Sequence, residues 1–160
     1  MDDVVIVSVS YNTRELTALL LWSLHRILEP TDFRVVIVDN ASTDGSAELL
    51  GQARDGGLCE VIANSSNLGH GPALNVAMNT TYATEAHRVW ILDSDCVITR
   101  GEALRAPLSA SPDAAIIGEA HWDRWRKQSR FGLYSLIVNP AALIEANAPP
   151  FTNDGDPAWD

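Results

Sequence analysis

Residues Trp90 to Ile98, WILDSDCVI, place Asp93 and Asp95 one residue apart at the end of an apolar run. On a continuing strand such a pair shares one face. Two unit charges about 4 Å apart repel by roughly 4 kcal/mol at an effective dielectric of about 20, so something must offset the pair. An arginine, bulk water or a bound cation can each do so. A diphosphate arriving without a cation would deepen the repulsion. Mg²⁺ and Mn²⁺ take oxygen ligands in octahedral geometry, which one or two carboxylates, phosphate oxygens and water can supply. Asp93 and Asp95 therefore suit a divalent metal on a substrate diphosphate, and a solvated strand-end turn is the plain alternative.

Other groups of chemical interest follow similar apolar runs. Asp39 opens DNASTDGS, where a carboxylate can accept a hydrogen bond from a base imide N–H or a ribose hydroxyl. In that segment Ser42 or Thr43 is expected to cap a helix and Asp44 to favour its dipole, leaving Asp39-Asn40 to face a crevice. The Gly-rich run NSSNLGHGPALN leads into a helix whose first N–H groups can receive a phosphate, although no full phosphate-loop pattern is present. His70 then touches phosphate or is simply a surface residue, and His25, His87 and His121 read as structural. Tyr11 can stack on a base or pack locally. Asp154, Asp156 and Asp160 lie in a Pro-rich acidic tail that composition alone would leave exposed.

These groups need elements to position them. VVIVSVS (Val4–Ser10) is a buried-strand pattern, and Asn12 with Glu15 can cap a helix that runs to about Glu29 and ends at Pro30. Leu16, Leu20, Leu24 and Ile27 form its expected inner stripe. FRVVIVD, CEVIA and RVWILD read as further strands, STDGSAELLGQAR and Gly69 to about Tyr82 as helices. Strand–helix alternation with short connections predicts an α/β fold, a mostly parallel sheet with helices on both faces. Ligands of such sheets bind beyond the carboxyl ends of the strands, where every polar cluster above falls. Beyond residue 100, AAIIG and LYSLIV read as strands and residues 140–146 as a short helix, around a basic, aromatic stretch, HWDRWRKQSR.

The 160 residues fit a single domain. A formal charge of −10 speaks against nucleic acid, whose phosphates are held mainly by Lys and Arg. An anionic small molecule stays possible if a cation reverses the local field. No apolar window is long enough for a transmembrane segment, and the acidic start Met1-Asp2-Asp3 predicts a cytoplasmic chain. Cys59 and Cys96 are expected to be buried free thiols.

The segments VSVSYNTRELTALLLWSL, VVIVDNASTDGS, NLGHGPALNVAM and WILDSDCVI, in that order and spacing, resemble the nucleotide-sugar-binding half of family 2 glycosyltransferases, which adopt the Rossmann-like GT-A fold. The resemblance covers about residues 4 to 100, leaving 101–160 as an acceptor-side half. It implies a nucleoside-diphosphate sugar donor, Mn²⁺ or Mg²⁺ at Asp93 and Asp95, and nucleotide contacts from Ser8, Tyr11, Asn12, Asp39, Asn67, Gly69, His70 and Ser94. It also implies inverting transfer of a hexosyl or deoxyhexosyl group to an acceptor hydroxyl, with a carboxylate as general base. FTNDGDPAWD occupies the place of that base, with Asp156 first and Asp154 second, although the family's usual E-D dipeptide is absent. The Trp122, Arg124, Trp125, Arg126 patch suits a glycan, a lipid-linked acceptor or another subunit. HWDRW does not match the Q-x-x-R-W of processive synthases, because His121 replaces Gln and its order relative to the acidic segment is reversed.

Two other functions fit parts of the pattern. DSDCV resembles the D-x-D-x-[TV] of haloacid-dehalogenase-like phosphatases, but that motif ends a first strand and needs a later lysine, of which Lys127 is the sole example. A non-catalytic nucleotide-sugar-binding module is the other.

Overall fold

The computed structural model describes residues 4–29, 33–102, 114–123, 128–148 and 151, with side chains except at 81–82 and 118–134. The described elements are β1 (Val4–Ser10), α1 (Arg14–Ile27), β2 (Arg34–Asp39), α2 (Ser46–Asp55), β3 (Glu60–Ala63), α3 (His70–Met78), α4 (Thr81–Glu85), β4 (Arg88–Leu92), β5 (Ile116–Asp123), β6 (Gln128–Val138) and α5 (Pro140–Glu145). The strands form one sheet in the order β3-β2-β1-β4-β6-β5. β1 pairs in parallel with both β2 and β4, and β2 with β3; β6 alone runs against its neighbours. This is the mostly parallel α/β sheet expected from the alternation.

Continuous apolar strands require cover on both faces, and the helices supply it. Leu20, Leu21 and Leu24 of α1 and Leu50 and Ala53 of α2 pack on Ile6, Ile37, Trp90 and Leu92. On the opposite face, Ala73, Leu74 and Ala77 of α3 and Ala83 of α4 cover Val5, Val7, Val36, Val89 and Ile91. The buried Trp90 indole satisfies its N–H on Ser135 Oγ at 2.9 Å, tying β4 to β6.

Several expected details change. The inner stripe of α1 is Thr17, Leu20, Leu21 and Leu24, whereas Leu16 is exposed. α1 ends at Ile27, before Glu29, and the helix expected from Gly69 to Tyr82 is two, because Thr80 Oγ1 accepts from Ala83 N and starts α4. β5 takes in residues 121–123 and β6 residues 128–130 of the basic, aromatic stretch, and these two ends pair antiparallel. Cys59 is a buried free thiol, and burial pushes it up to about 11; Cys96 is only partly buried.

The start of α1 differs most. Asn12 does not cap it; its backbone is left-handed, with φ of 53°, and Thr13 is the cap position without a side-chain bond. The first helical N–H, of Arg14, instead donates to Asp44 Oδ2 at 3.0 Å, while Asp44 Oδ1 accepts from Ser46 N at 3.0 Å and Ser46 Oγ at 2.6 Å. One carboxylate therefore serves the N-termini of α1 and α2, and neither Ser42 nor Thr43 caps α2. The Ser46 hydroxyl first, then the Arg14 N–H, hold Asp44 below the usual carboxylate range. A lowered folded-state value contributes stability above the ordinary aspartate range that is lost as pH falls through the folded value. Asp44→Ala is expected to lower the urea midpoint at neutral pH, with the difference from wild type shrinking in acid. Asp55→Ala, which removes an exposed pair with Arg54, is expected to change it little; equal effects would contradict the double cap.

Candidate active site

The switch point of the sheet lies between β1 and β4, from which the chain leaves toward opposite edges. Four connections rise there, following β1, β2, β3 and β4. Each meets the next.

Asn12 N donates to Ser42 Oγ at 3.0 Å, and Thr43 N donates to Asn12 Oδ1 at 2.7 Å, so the first connection is sewn to the second. Two left-handed residues, Asn12 and Ala41 (φ 65°), shape these loops, and the cross-loop bonds hold Asn12 in that unfavourable region. Asn40, buried to 2% exposure, joins the second connection to the third. Its Nδ2 donates to Asn67 Oδ1 at 2.7 Å, and its Oδ1 accepts from Asn64 Nδ2 at 2.9 Å and Leu68 N at 3.1 Å. Asn67 Oδ1 also accepts from Gly69 N at 2.8 Å, while Gly69 turns the chain into α3 with a φ of 81° that a side chain would strain.

The third and fourth connections meet through His70 and Asp93, with Nε2 and Oδ1 3.7 Å apart. The fourth returns to the first through Thr13 Oγ1, which donates to Ser94 Oγ at 3.1 Å. Thr13 also belongs to a buried triangle of hydroxyls with Ser10 and Thr17, whose edges are 3.0 to 3.1 Å. The four connections thus form a closed ring around the mouth of the sheet.

Asp39 lies on the floor of this ring, 4% exposed, with Oδ1 accepting from Ser42 N at 3.2 Å. Tyr11 stands exposed at the rim, whereas Ser8 is fully buried two residues below the end of β1, its hydroxyl without a hydrogen-bond partner among the described residues. Asn12, Asn67 and Ser94 direct side-chain atoms at neighbouring loops. Asn40 is a tie between loops rather than a group left facing the crevice. Asp154 and Asp156 lie outside the described residues.

β4 stops at Leu92, one residue before the expected end, and Asp93 begins a turn closed by Cys96 N donating to Asp93 O at 3.0 Å. The two carboxylates are therefore presented by a turn and not by alternation along a strand. Ser23 Oγ in α1 accepts from Ile98 N at 3.0 Å and anchors the chain leaving that turn. Asp93 is partly buried and Asp95 exposed. Burial raises Asp93 above the ordinary carboxylate range, His70 opposes this, and the Asp95 charge adds to it.

This donor set fits a hard divalent cation. Among the described residues no group of three His, Cys, Asp or Glu could hold a metal unaided. A turn after the fourth strand is also the wrong place for a phosphatase nucleophile, which follows the first.

Sequence reasoning missed Thr13, Asn40 and Asp44 in these roles. For Thr13 a signal existed: Thr17 lies one helical turn on, on the buried face of α1. For Asn40 and Asp44 the partners are 24 to 30 residues distant, beyond any local rule.

The six-stranded, mostly parallel α/β sheet matches the GT-A fold of similar solved glycosyltransferases. The chain belongs to glycosyl transferase family 2, whose pattern matches residues 5–136. Similar solved structures include the mannosyltransferase PcManGT from Pyrobaculum calidifontis in complex with GDP-Man and Mn²⁺, at TM-score 0.75 and 20% identity over 95% of this chain and 48% of that one. Another is S. aureus TarS 1-349 in complex with UDP-GlcNAc, at TM-score 0.69 and 22% identity over 91% and 47%. The chain spans about half the length of these relatives. No curated protein matches it significantly in sequence.

Because the folded-state value of Asp93 is raised, the folded protein binds this proton more readily than the unfolded chain. The ionised carboxylate costs stability at neutral pH, and the cost fades as pH falls from the raised value to the ordinary one. Carboxyl ¹³C NMR is expected to find the Asp93 midpoint above an ordinary aspartate, lowered in Asp95→Asn and raised in His70→Ala. Asp93→Asn is expected to raise Tm. A fall in Tm would contradict the like-charge account.

Proposed function

We propose that this chain is the donor-binding core of a metal-dependent, inverting glycosyltransferase that uses a nucleoside-diphosphate sugar. The observation that carries the proposal is the closed ring of four loops, with a buried carboxylate on its floor and an acidic pair on its rim. Membership of family 2 and the sugar nucleotides bound by two similar structures support it.

In this reading Asp39 accepts a hydrogen bond from the base or ribose, and Tyr11 lies against the nucleoside. The loop ending at Gly69 and the first turn of α3 receive the phosphates, where backbone N–H groups and the helix dipole favour negative charge. Asp95 and Asp93 hold Mn²⁺ or Mg²⁺, which when bound acts as a Lewis acid on the diphosphate oxygens. His70 neutralises part of the charge on Asp93. Ser94, held by Thr13, keeps the turn in register with the nucleotide segment. The acceptor-side half begins near residue 101. There a carboxylate, Asp156 before Asp154, takes the proton of an acceptor hydroxyl while its oxygen attacks the anomeric carbon and the bond to the diphosphate breaks. General base catalysis of this kind contributes about 10²–10⁴ in rate. The acceptor we favour is a glycan or a lipid-linked sugar. Among the described residues no helix is long and apolar enough to cross a membrane.

The test is incubation with UDP-, GDP- and dTDP-sugars, with Mn²⁺ or with EDTA, following nucleotide binding and diphosphate release. Mn²⁺-dependent release is expected, reduced at least about 100-fold in Asp95→Ala. Binding without turnover would leave a non-catalytic module, and release that EDTA does not affect would contradict the metal role. Asp156→Asn is expected to keep donor binding and lose transfer by about 10²-fold or more; retained transfer would move the base to Asp154 or out of the tail.

A further inference from the structure

The outward face of α1 is not the solvated face of an ordinary amphipathic helix. Its exposed residues run Glu15, Leu19, Trp22, Arg26, with Leu16 beside Glu15. Steps of four, three and four residues align them as one stripe over three turns. Trp22 is 62% exposed and Leu19 41%. Between α1 and α2 lies a groove of about 510 Å³, lined by Ala18, Leu21, His25, Leu49, Ala53 and Leu58 together with Trp22 and Arg26 of the stripe itself. His25 Nε2 lies 2.7 Å from the Leu58 carbonyl and its ring stacks near Phe33, so the wall of the groove is braced. An exposed indole and an apolar groove thus share one surface.

The stripe is self-complementary when reversed. Laid antiparallel on a second copy, Leu19 of one chain faces Trp22 of the other, and Glu15 at one end faces Arg26 at the other. A parallel arrangement would set like charges together and oppose the helix dipoles less favourably. An isologous contact needs the same patch to supply both partners of each contact, as Trp22 and Leu19 do. The interface core would be aromatic and aliphatic with its charges at the rim, the usual anatomy. The face points away from the sheet, and α1 begins at the crevice, so an antiparallel pair leaves both crevices open at opposite ends.

We propose that α1 is the two-fold interface of a homodimer, with Trp22 of each copy packed against Leu19 at the edge of its partner's α1–α2 groove. The proposal does not depend on the catalytic reading. The net charge of −10 opposes association at low salt, so physiological ionic strength is the condition for the test.

Sedimentation of the full chain over a wide concentration range is expected to show a monomer–dimer equilibrium. Trp22→Glu should weaken it at least about tenfold, as for an aromatic residue at the centre of an interface. Glu15→Arg and Arg26→Glu should each weaken it by about two- to fivefold, and the double variant should restore it. Glu15 also meets Arg14 at 3.4 Å on the exposed surface, so recovery in the double variant is the decisive reading. Circular dichroism of each variant establishes that it is folded. A monomer at every concentration overturns the proposal, including one that binds neutral phosphatidylcholine vesicles through Trp22. So does a dimer untouched by Trp22→Glu, or a double variant no better than the singles.

Discussion

Everything at the mouth of this sheet is organised around two like charges held in one turn. Asp93 is partly buried, Asp95 lies one residue away, and burial and like charge together raise Asp93 above its ordinary range. Such a pair is a liability in the free protein, and under the proposed function a cation arriving with a diphosphate would relieve it. Its turn is held by the Thr13–Ser94 bond, by Ser23 on the outgoing strand of chain, and by His70 across the crevice.

The bonds that tie the loops together come largely from neutral groups. Asn40, Asn64 and Asn67 wire the second connection to the third; Asn12, Ser42 and Thr43 wire the first to the second; Ser10, Thr13, Thr17 and Ser94 wire the fourth back to the first. Amides and hydroxyls can fix geometry without neutralising the acidic pair, so its charge stays available to a cation. Asp44, the charged tie in the ring, lies outside the crevice and spends its charge on two helix N-termini.

The main architecture was legible in the sequence because the buried strands announce themselves as β-branched runs. VVIVSVS, RVVIVD and RVWIL became β1, β2 and β4 almost residue for residue, and their carboxyl ends gathered Tyr11, Asp39 and Asp93 as the alternation required. Local rules failed wherever the acceptor was distant in the chain. Asn12 has the composition of a helix cap, yet α1 takes its cap from Asp44, and Asn12 serves Thr43 instead. Leu16 fits an inner stripe by spacing from Leu20, yet the buried face of α1 is centred near Thr17, which the hydroxyl triangle draws inward. The apolar parts of β5 and β6 were legible as AAIIG and LYSLIV, but their continuation through residues 121–123 and 128–130 was hidden, because polar alternation looks like a charged surface segment when read without its partner.

The central claim is that the acidic pair holds a metal only together with a diphosphate. Calorimetric titration of Mn²⁺ into the protein, with and without UDP or GDP, tests this directly. Weak binding alone, strengthened at least about tenfold by the nucleotide and lost in Asp95→Ala, is the expected result. Equal Mn²⁺ affinity in both titrations, or nucleotide affinity unchanged by EDTA, would contradict it.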